Sequence, residues 1–228
     1  MAKPIKKTDR KKAWAKRTMQ SPRYPFENKI HKKKVFHIIC EGLHTEPAYF
    51  KSFPLANATV KSFGLGQSKR QLMESVVAYQ SGFSKLDDYE FWCVFDRDDN
   101  AHERVQQQKD IQAAYQVAKE HNIHIAYSSD SFELWFLLHY QLYQNQWTRH
   151  EYYEKLSKLW NCHYESQGKK LVFCQGIYRK LQQAAEASQE KAIQRAQKLA
   201  QNQINFPVYN RTPYTSVYLL VLELNKYL

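Results

Sequence analysis

Strand-like and helix-like segments alternate along residues 35–140, and this alternation limits the available folds more than any other feature of the chain. The predicted strands are short apolar or β-branched runs at 35–40, 57–63, 89–95 and 123–127. Helical patterns separate these runs, and a very apolar helix follows the last one. Strand–helix–strand units join parallel strands through right-handed crossovers. The sequence therefore predicts an α/β fold with a mainly parallel sheet flanked by helices.

The character of the chain changes after residue 141. Residues 150–160, 176–203 and 214–228 have helical patterns, and we interpret them as helices that cover the sheet. We therefore expect one domain over 34–228, made of an α/β core at 34–140 and a helical extension at 141–228. The aromatic-rich stretch at 139–164 has two interpretations, namely core packing or stacking on unpaired bases.

Positive charge is concentrated at the N-terminus. The net charge is +12, and the first 34 residues contain thirteen Lys and Arg residues against only Asp9 and Glu27. Such a segment has too few apolar residues to fold alone, so we expect residues 1–33 to form a disordered basic arm. The arm either binds nucleic acid by neutralising phosphates or is only a solvated tail. Lys32, Lys33 and Lys34 are candidate nucleic-acid contacts.

Several classes of protein are disfavoured by what the sequence lacks. No run approaches the ~20 apolar residues of a membrane helix, and the Lys-rich N-terminus has no apolar signal core. The four cysteines show no C-x-x-C spacing, which argues against a zinc site or a disulfide framework. We therefore expect a cytoplasmic protein without a membrane partner.

Acidic residues follow two of the predicted strands. Glu41 ends the first strand, and Asp96 and Asp98 end the strand at 89–95. Sites in open parallel sheets form at the carboxyl ends of strands. Side-chain alternation places Asp96 and Asp98 on one side, where both can reach one cation. Carboxylate oxygens without a nearby Cys or His pair favour Mg²⁺ or Mn²⁺ over zinc.

Glu133 is a further acidic candidate, and it lies among large apolar residues at the start of the helix that follows the last predicted strand. A carboxylate there either occupies the exposed first turn, where the helix dipole favours it, or needs a partner. The second interpretation makes Glu133 a ligand of a metal ion or of water.

Longer strings carry a family resemblance. Glu41-Gly42 after an apolar strand, followed by Asp96-x-Asp98 after another, resembles the TOPRIM signature of topoisomerases, primases and small nucleases. The strings at 38–50, 92–99 and 131–135, and more weakly 212–218, resemble the RloB-like family over about 35–225. That family often has Asn-Pro where this chain has Ser129-Asp130, which changes local rigidity and adds a potential ligand.

The resemblance implies a TOPRIM-like fold and a role for each acidic residue. Asp96 and Asp98 would hold Mg²⁺ or Mn²⁺, and Glu133 would complete the site or bind a second ion. Glu41 would be either a metal ligand or the general acid/base.

The resemblance also implies a function, which is metal-dependent cleavage of DNA or RNA in bacterial anti-phage defence. Arg97 or Lys69 would then add positive charge near the scissile phosphate. The alternative is a subunit without catalytic activity that binds nucleic acid or a partner defence protein. A topoisomerase or primase is disfavoured because the chain has no room for the additional domains that those enzymes carry.

Overall fold

The computed structural model describes residues 34–84, 86–97 and 104–228. The basic arm, including Lys32 and Lys33, and the predicted ligand Asp98 lie outside the described residues. The strands are β1 (Lys34–Cys40), β2 (Ala58–Gly64), β3 (Tyr89–Arg97) and β4 (His124–Ser129). The helices of the α/β part are α1 (Thr45–Lys51), α2 (Lys69–Gln80), α3 (Arg104–His121) and α4 (Glu133–Leu138). Those that follow are α5 (Arg149–Trp160), α6 (Tyr164–Gln167), α7 (Leu171–Gln183), α8 (Gln189–Asn202) and α9 (Val217–Asn225).

The four strands form one parallel sheet in the order β2-β1-β3-β4. The predicted α/β class and the parallel sheet are therefore confirmed. The open edge of β4 is partly covered, because Ser128 pairs in antiparallel fashion with Thr215, and the Ser216 N–H donates to the Tyr127 carbonyl at 2.7 Å. This cover reduces the number of unpaired backbone groups at the sheet edge.

Each face of the sheet carries its own hydrophobic core. One core contains alternate β3 residues such as Trp92 and Val94, packed against α1, α4 and the later helices. The other contains Phe91, Cys93 and Phe95, packed against α2 and α3. The same alternation continues to the carboxyl end of β3, so consecutive residues there point to opposite faces.

The helical extension differs from its prediction in several places: α6 lies outside every predicted helical range, α7 begins at Leu171 and not at 176, and the last predicted range is not one helix. The pattern at 176–203 predicts one long helix, but the structure has two, α7 and α8, separated by residues 184–188. Ser188 is the N-cap of α8, because its hydroxyl accepts the Lys191 N–H at 3.2 Å. Its own N–H donates to the His139 carbonyl at 2.9 Å, which ties the break to the end of α4. An N-cap inside an apolar repeat therefore divides the helix.

Within residues 34–84, 86–97 and 104–228, no helix has both the length and the apolar character that a membrane span requires.

Candidate active site at the carboxyl edge of the sheet

A cleft of about 370 Å³ opens where β1 and β3 end. Four carboxylates line it together with cationic and phenolic side chains from the helical extension. They are Glu41, Glu46, Asp96 and Glu133 on the acidic side and Arg149, Tyr153 and Lys169 on the other. The structure thus brings together three of the four predicted acidic residues.

Glu41 directly follows β1, and both of its carboxylate oxygens have partners. Oε1 accepts from the Lys69 ammonium at 3.1 Å, and Oε2 accepts from the Asp96 backbone N–H at 3.2 Å. Lys69 is the first residue of α2 and is only 6% exposed. The two contacts hold the Glu41 carboxylate beside the end of β3.

Asp96 lies on the β3 face that points toward the helical extension. Its Oδ2 accepts from the Phe132 N–H at 3.0 Å and lies 3.9 Å from an Arg149 nitrogen. Its Oδ1 is buried and has no hydrogen-bond partner among the described residues. Burial, together with the negative charges of Glu46 and Glu133, raises the pKa of the Asp96 carboxyl well above its ordinary value. A buried carboxylate oxygen without a partner is costly unless a proton or a cation compensates it.

Glu46 is a site residue that the sequence analysis missed. It lies in the first turn of α1, is 7% exposed and lines the cleft. Burial and the charges of Glu133 and Glu41 raise its pKa from 4.5 to about 7. Gly42 makes room for it, because a Cβ at position 42 would lie 2.1 Å from Glu46 Oε2. The sequence could have indicated Glu46 as a site residue. A helix that begins at residue 45, soon after Glu41-Gly42, places Glu46 in its first turn and therefore near the end of β1.

The sequence left two interpretations of Glu133 open, an exposed first-turn residue or a ligand of a metal ion or of water, and the structure bears only on the first. Glu133 is the first residue of α4, as the helix-dipole interpretation requires, yet it is only 5% exposed. Its carboxylate has two hydroxyl partners: Ser131 Oγ donates to Oε2, and Tyr164 OH donates to Oε1 at 3.0 Å. Tyr164 belongs to α6, so the helical extension contributes directly to the orientation of this carboxylate.

The wall opposite the carboxylates comes from the helical extension. Arg149 begins α5 and its side chain is 41% exposed. The Lys169 ammonium lies 5.2 Å from the centroid of the Tyr153 ring. Most aromatic residues of the stretch at 139–164 are core, including Tyr152 and Trp160, whereas Tyr153 also lines the cleft. The sequence analysis missed these cations because linear spacing does not show which helix covers the end of the sheet.

Two of the predicted nucleic-acid contacts are engaged elsewhere. Arg97 is 1% exposed, lies 3.7 Å from an Asp130 oxygen and donates to the Tyr209 carbonyl at 2.9 Å. It is not among the residues that line the cleft, because it points to the opposite face of β3 from Asp96. Asp130, the departure from the family pattern, is thus an ion-pair partner of Arg97. Lys34 lies 3.3 Å from Glu90.

The fit of a divalent cation can be judged from the donor atoms. The unpartnered Asp96 Oδ1 and the surrounding carboxylate oxygens are hard donors of the type that Mg²⁺ and Mn²⁺ prefer. Across residues 34–84, 86–97 and 104–228, however, no three His, Cys, Asp or Glu side chains are grouped closely enough to hold a metal ion. Asp98, the further carboxylate expected in the set, lies outside the described residues. The donor chemistry fits a hard cation, but the described residues alone do not form a complete metal site.

The fold and the cleft define a class: a parallel α/β protein with a carboxylate-lined cleft at the carboxyl edge of its sheet and a cationic helical wall opposite. Comparison of the whole chain narrows this class. Residues 36–224 match the family described as RloB-like protein, and the chain belongs to that family. No curated protein and no solved structure gave a significant match.

Proposed function

We propose that the protein is a metal-dependent nuclease that cleaves phosphodiester bonds of DNA or RNA in this cleft. The observation that carries the proposal is the buried Oδ1 of Asp96, which has no hydrogen-bond partner among the described residues and lies beside three further carboxylates. Such a group favours a compensating cation, and cationic side chains face it from the other wall. A site that holds both a cation and a phosphate suits phosphodiester cleavage.

Each wall of the cleft has its own role in this proposal. Asp96, with Asp98, would hold Mg²⁺ or Mn²⁺, and Glu133 would complete the site or bind a second ion. When bound, such an ion neutralises phosphate charge and lowers the pKa of water. Arg149 and Lys169 would bind the phosphate, because they are the cationic residues that line the cleft.

Glu41 and Lys69 form the remaining part of the site. The two contacts of Glu41 fix its carboxylate beside Asp96, where it would act as a further ligand or exchange a proton with water. Lys69 is nearly buried against Glu41. We therefore propose that Lys69 orients the Glu41 carboxylate and does not make the direct phosphate contact expected from the sequence.

The test uses the full-length protein with labelled DNA and tRNA pools, each in Mg²⁺, in Mn²⁺ and in chelator. Cleavage should require the divalent ion and should be lost in Asp96→Asn. Glu120→Gln is the matched control, because Glu120 is an exposed carboxylate on α3. Glu41→Gln should lower cleavage by about 10²-fold or more while leaving nucleic-acid affinity unchanged or higher. Binding without cleavage under every condition would favour the alternative, a subunit that binds nucleic acid or a defence protein without catalytic activity.

We also propose, from the RloB-like family resemblance, that this activity serves bacterial anti-phage defence. Cells that express the wild-type protein from its own locus should form fewer phage plaques than cells that express Asp96→Asn. Equal plaque numbers against a broad phage panel would contradict the biological role while leaving the enzymatic proposal to its own test.

A further inference from the structure

A tight turn at residues 168–170 carries Lys169 to the rim of the cleft. The turn joins α6 to α7, and Lys169 and its neighbour Lys170 are both exposed. Lys169 lines the cleft, whereas Lys170 does not. The two lysines carry the same charge one residue apart, so the conformation of the turn decides which of them faces the carboxylates.

Gly168 packs so closely against Tyr164 that a side chain does not fit at position 168. The Gly168 N–H donates to the Tyr164 carbonyl at 2.6 Å. A Cβ at position 168 would overlap the Tyr164 ring and lie 2.6 Å from that carbonyl oxygen. The ring cannot move aside, because Tyr164 is fully buried in a close-packed interior. Its neighbours are the rings of Tyr153, Trp160 and Phe173, at centroid distances of 5.4, 5.5 and 6.0 Å.

Cys174 holds the turn from its other side. Its thiol donates to the Gly168 carbonyl at 3.1 Å and lies 3.8 Å from the Thr45 hydroxyl oxygen. Thr45 belongs to α1 and also lines the cleft. Both supports of the turn therefore lead back to the cleft, because Tyr164 donates to Glu133 and Cys174 contacts Thr45.

Lys169 acts on the carboxylate side of the cleft. Burial and the charges of Glu133 and Glu41 raise the pKa of Glu46, and the positive charge of Lys169 opposes that rise. The Lys169 ammonium also lies over the ring of Tyr153, which lines the same cleft. A phosphate that enters the cleft therefore meets this ammonium close to the carboxylates.

We propose that Gly168 is a positioning residue, whose close packing on the Tyr164 ring sets the turn so that Lys169, and not Lys170, binds a phosphate of the nucleic-acid strand. The hydroxyl of the same ring donates to Glu133. One buried side chain thus fixes the phosphate-binding lysine relative to a carboxylate of the opposite wall. This inference rests on the proposed function, because it assumes a nucleic-acid strand in the cleft.

The test measures how the binding of labelled oligo-dT and oligo-U 12-mers depends on KCl. Fluorescence anisotropy is used with a fixed low concentration of Ca²⁺ in place of Mg²⁺ to limit cleavage. Each phosphate contact on a single strand contributes about 0.7 to the slope of log K against log salt. Lys169→Gln and Gly168→Ala should each flatten the slope by about 0.7, because each loses one contact. The double variant should be no flatter than either single variant, since both changes remove the same contact.

Two matched controls separate position from charge and from the loss of glycine. Lys170→Gln removes an equal charge from the same turn and should keep the wild-type slope. Gly176→Ala should also keep it, because a Cβ at position 176 would have no neighbour within 4 Å.

A second pair of variants tests the contact from the side of the ring and applies even if Gly168→Ala does not fold. Tyr164→Phe keeps the ring and should retain the wild-type slope. Tyr164→Leu removes the ring on which Gly168 packs and should flatten the slope. Thermal melts establish that each variant is folded at the assay temperature.

The outcomes separate this inference from the proposed function. A wild-type slope for Lys169→Gln, with a flatter slope for Arg149→Gln, would overturn the role of the turn and leave the cleft proposal standing. Equal flattening by Lys169→Gln and Lys170→Gln would also overturn it, and so would a wild-type slope for Tyr164→Leu. Additive effects in the Gly168→Ala, Lys169→Gln double variant would show that the glycine does not act through Lys169. Failure of wild type to bind any strand would count against both proposals.

Discussion

Glu46→Gln should make the metal-free protein more stable at alkaline pH. In the folded protein, burial and the neighbouring carboxylates raise the pKa of Glu46 from 4.5 to about 7. Below pH 4.5 both the folded and unfolded forms are protonated, so this carboxyl imposes no penalty. As pH rises the unfolded form ionises first, and folding stability falls until the folded form has ionised near pH 7. A difference of about 2.5 pH units corresponds to about 3 kcal/mol lost above that pH.

Glutamine keeps the size of the side chain and cannot ionise, so the variant avoids this loss. Thermal melts in chelator from pH 4 to pH 8.5 should converge at low pH and separate by roughly 6–12 °C at high pH for a chain of this size. Glu120→Gln should follow wild type throughout. Mn²⁺ should stabilise wild type at high pH by mass action and should close the gap. If wild type and Glu46→Gln kept the same difference in melting temperature at every pH, burial and the neighbouring carboxylates would not raise the pKa of Glu46, and the electrostatic basis of the site would fail.

Three further predictions address the surroundings of the site. Lys69→Met should cost about 1–3 kcal/mol in urea unfolding, because it leaves Glu41 without its cation, and a cost below ~0.5 kcal/mol would contradict the pairing. Tyr164→Phe should cost a similar amount, since Glu133 loses a buried donor, and unchanged unfolding would remove Tyr164 from that role. Removal of residues 1–33 should leave the melting temperature unchanged and flatten the dependence of log K on log salt, whereas an unchanged slope would mean that the arm does not contact phosphates.

The sequence predicted the sheet because its strands are short apolar runs with clear boundaries. It also placed Glu41 and Asp96 at one edge, because parallel strands end on the same side of a sheet. The break at Ser188 was not predicted, since the helical pattern continues across it and the N-cap competes with that pattern locally.

The sequence did not predict the wall opposite the carboxylates, and the reason is different. Arg149, Tyr164 and Lys169 approach the carboxylates only because α5 and α6 pack over the end of the sheet. Long-range packing of this kind leaves no spacing rule in a single sequence. The position of Glu46 in the site could more easily have been predicted, because Glu46 lies five residues after Glu41 in the first turn of the next helix.

Binding of Mn²⁺ is the most direct test of the central claim that the carboxylate cleft holds a divalent ion. Electron paramagnetic resonance of free Mn²⁺ can be followed while full-length protein is added at pH 7.5. Wild type should remove the free-ion signal in a saturable, stoichiometric manner, and Mg²⁺ should restore it by competition. Asp96→Asn should leave most of the signal, and Glu120→Gln should match wild type. Equal Mn²⁺ binding by wild type and Asp96→Asn, or no binding by either, would contradict the account.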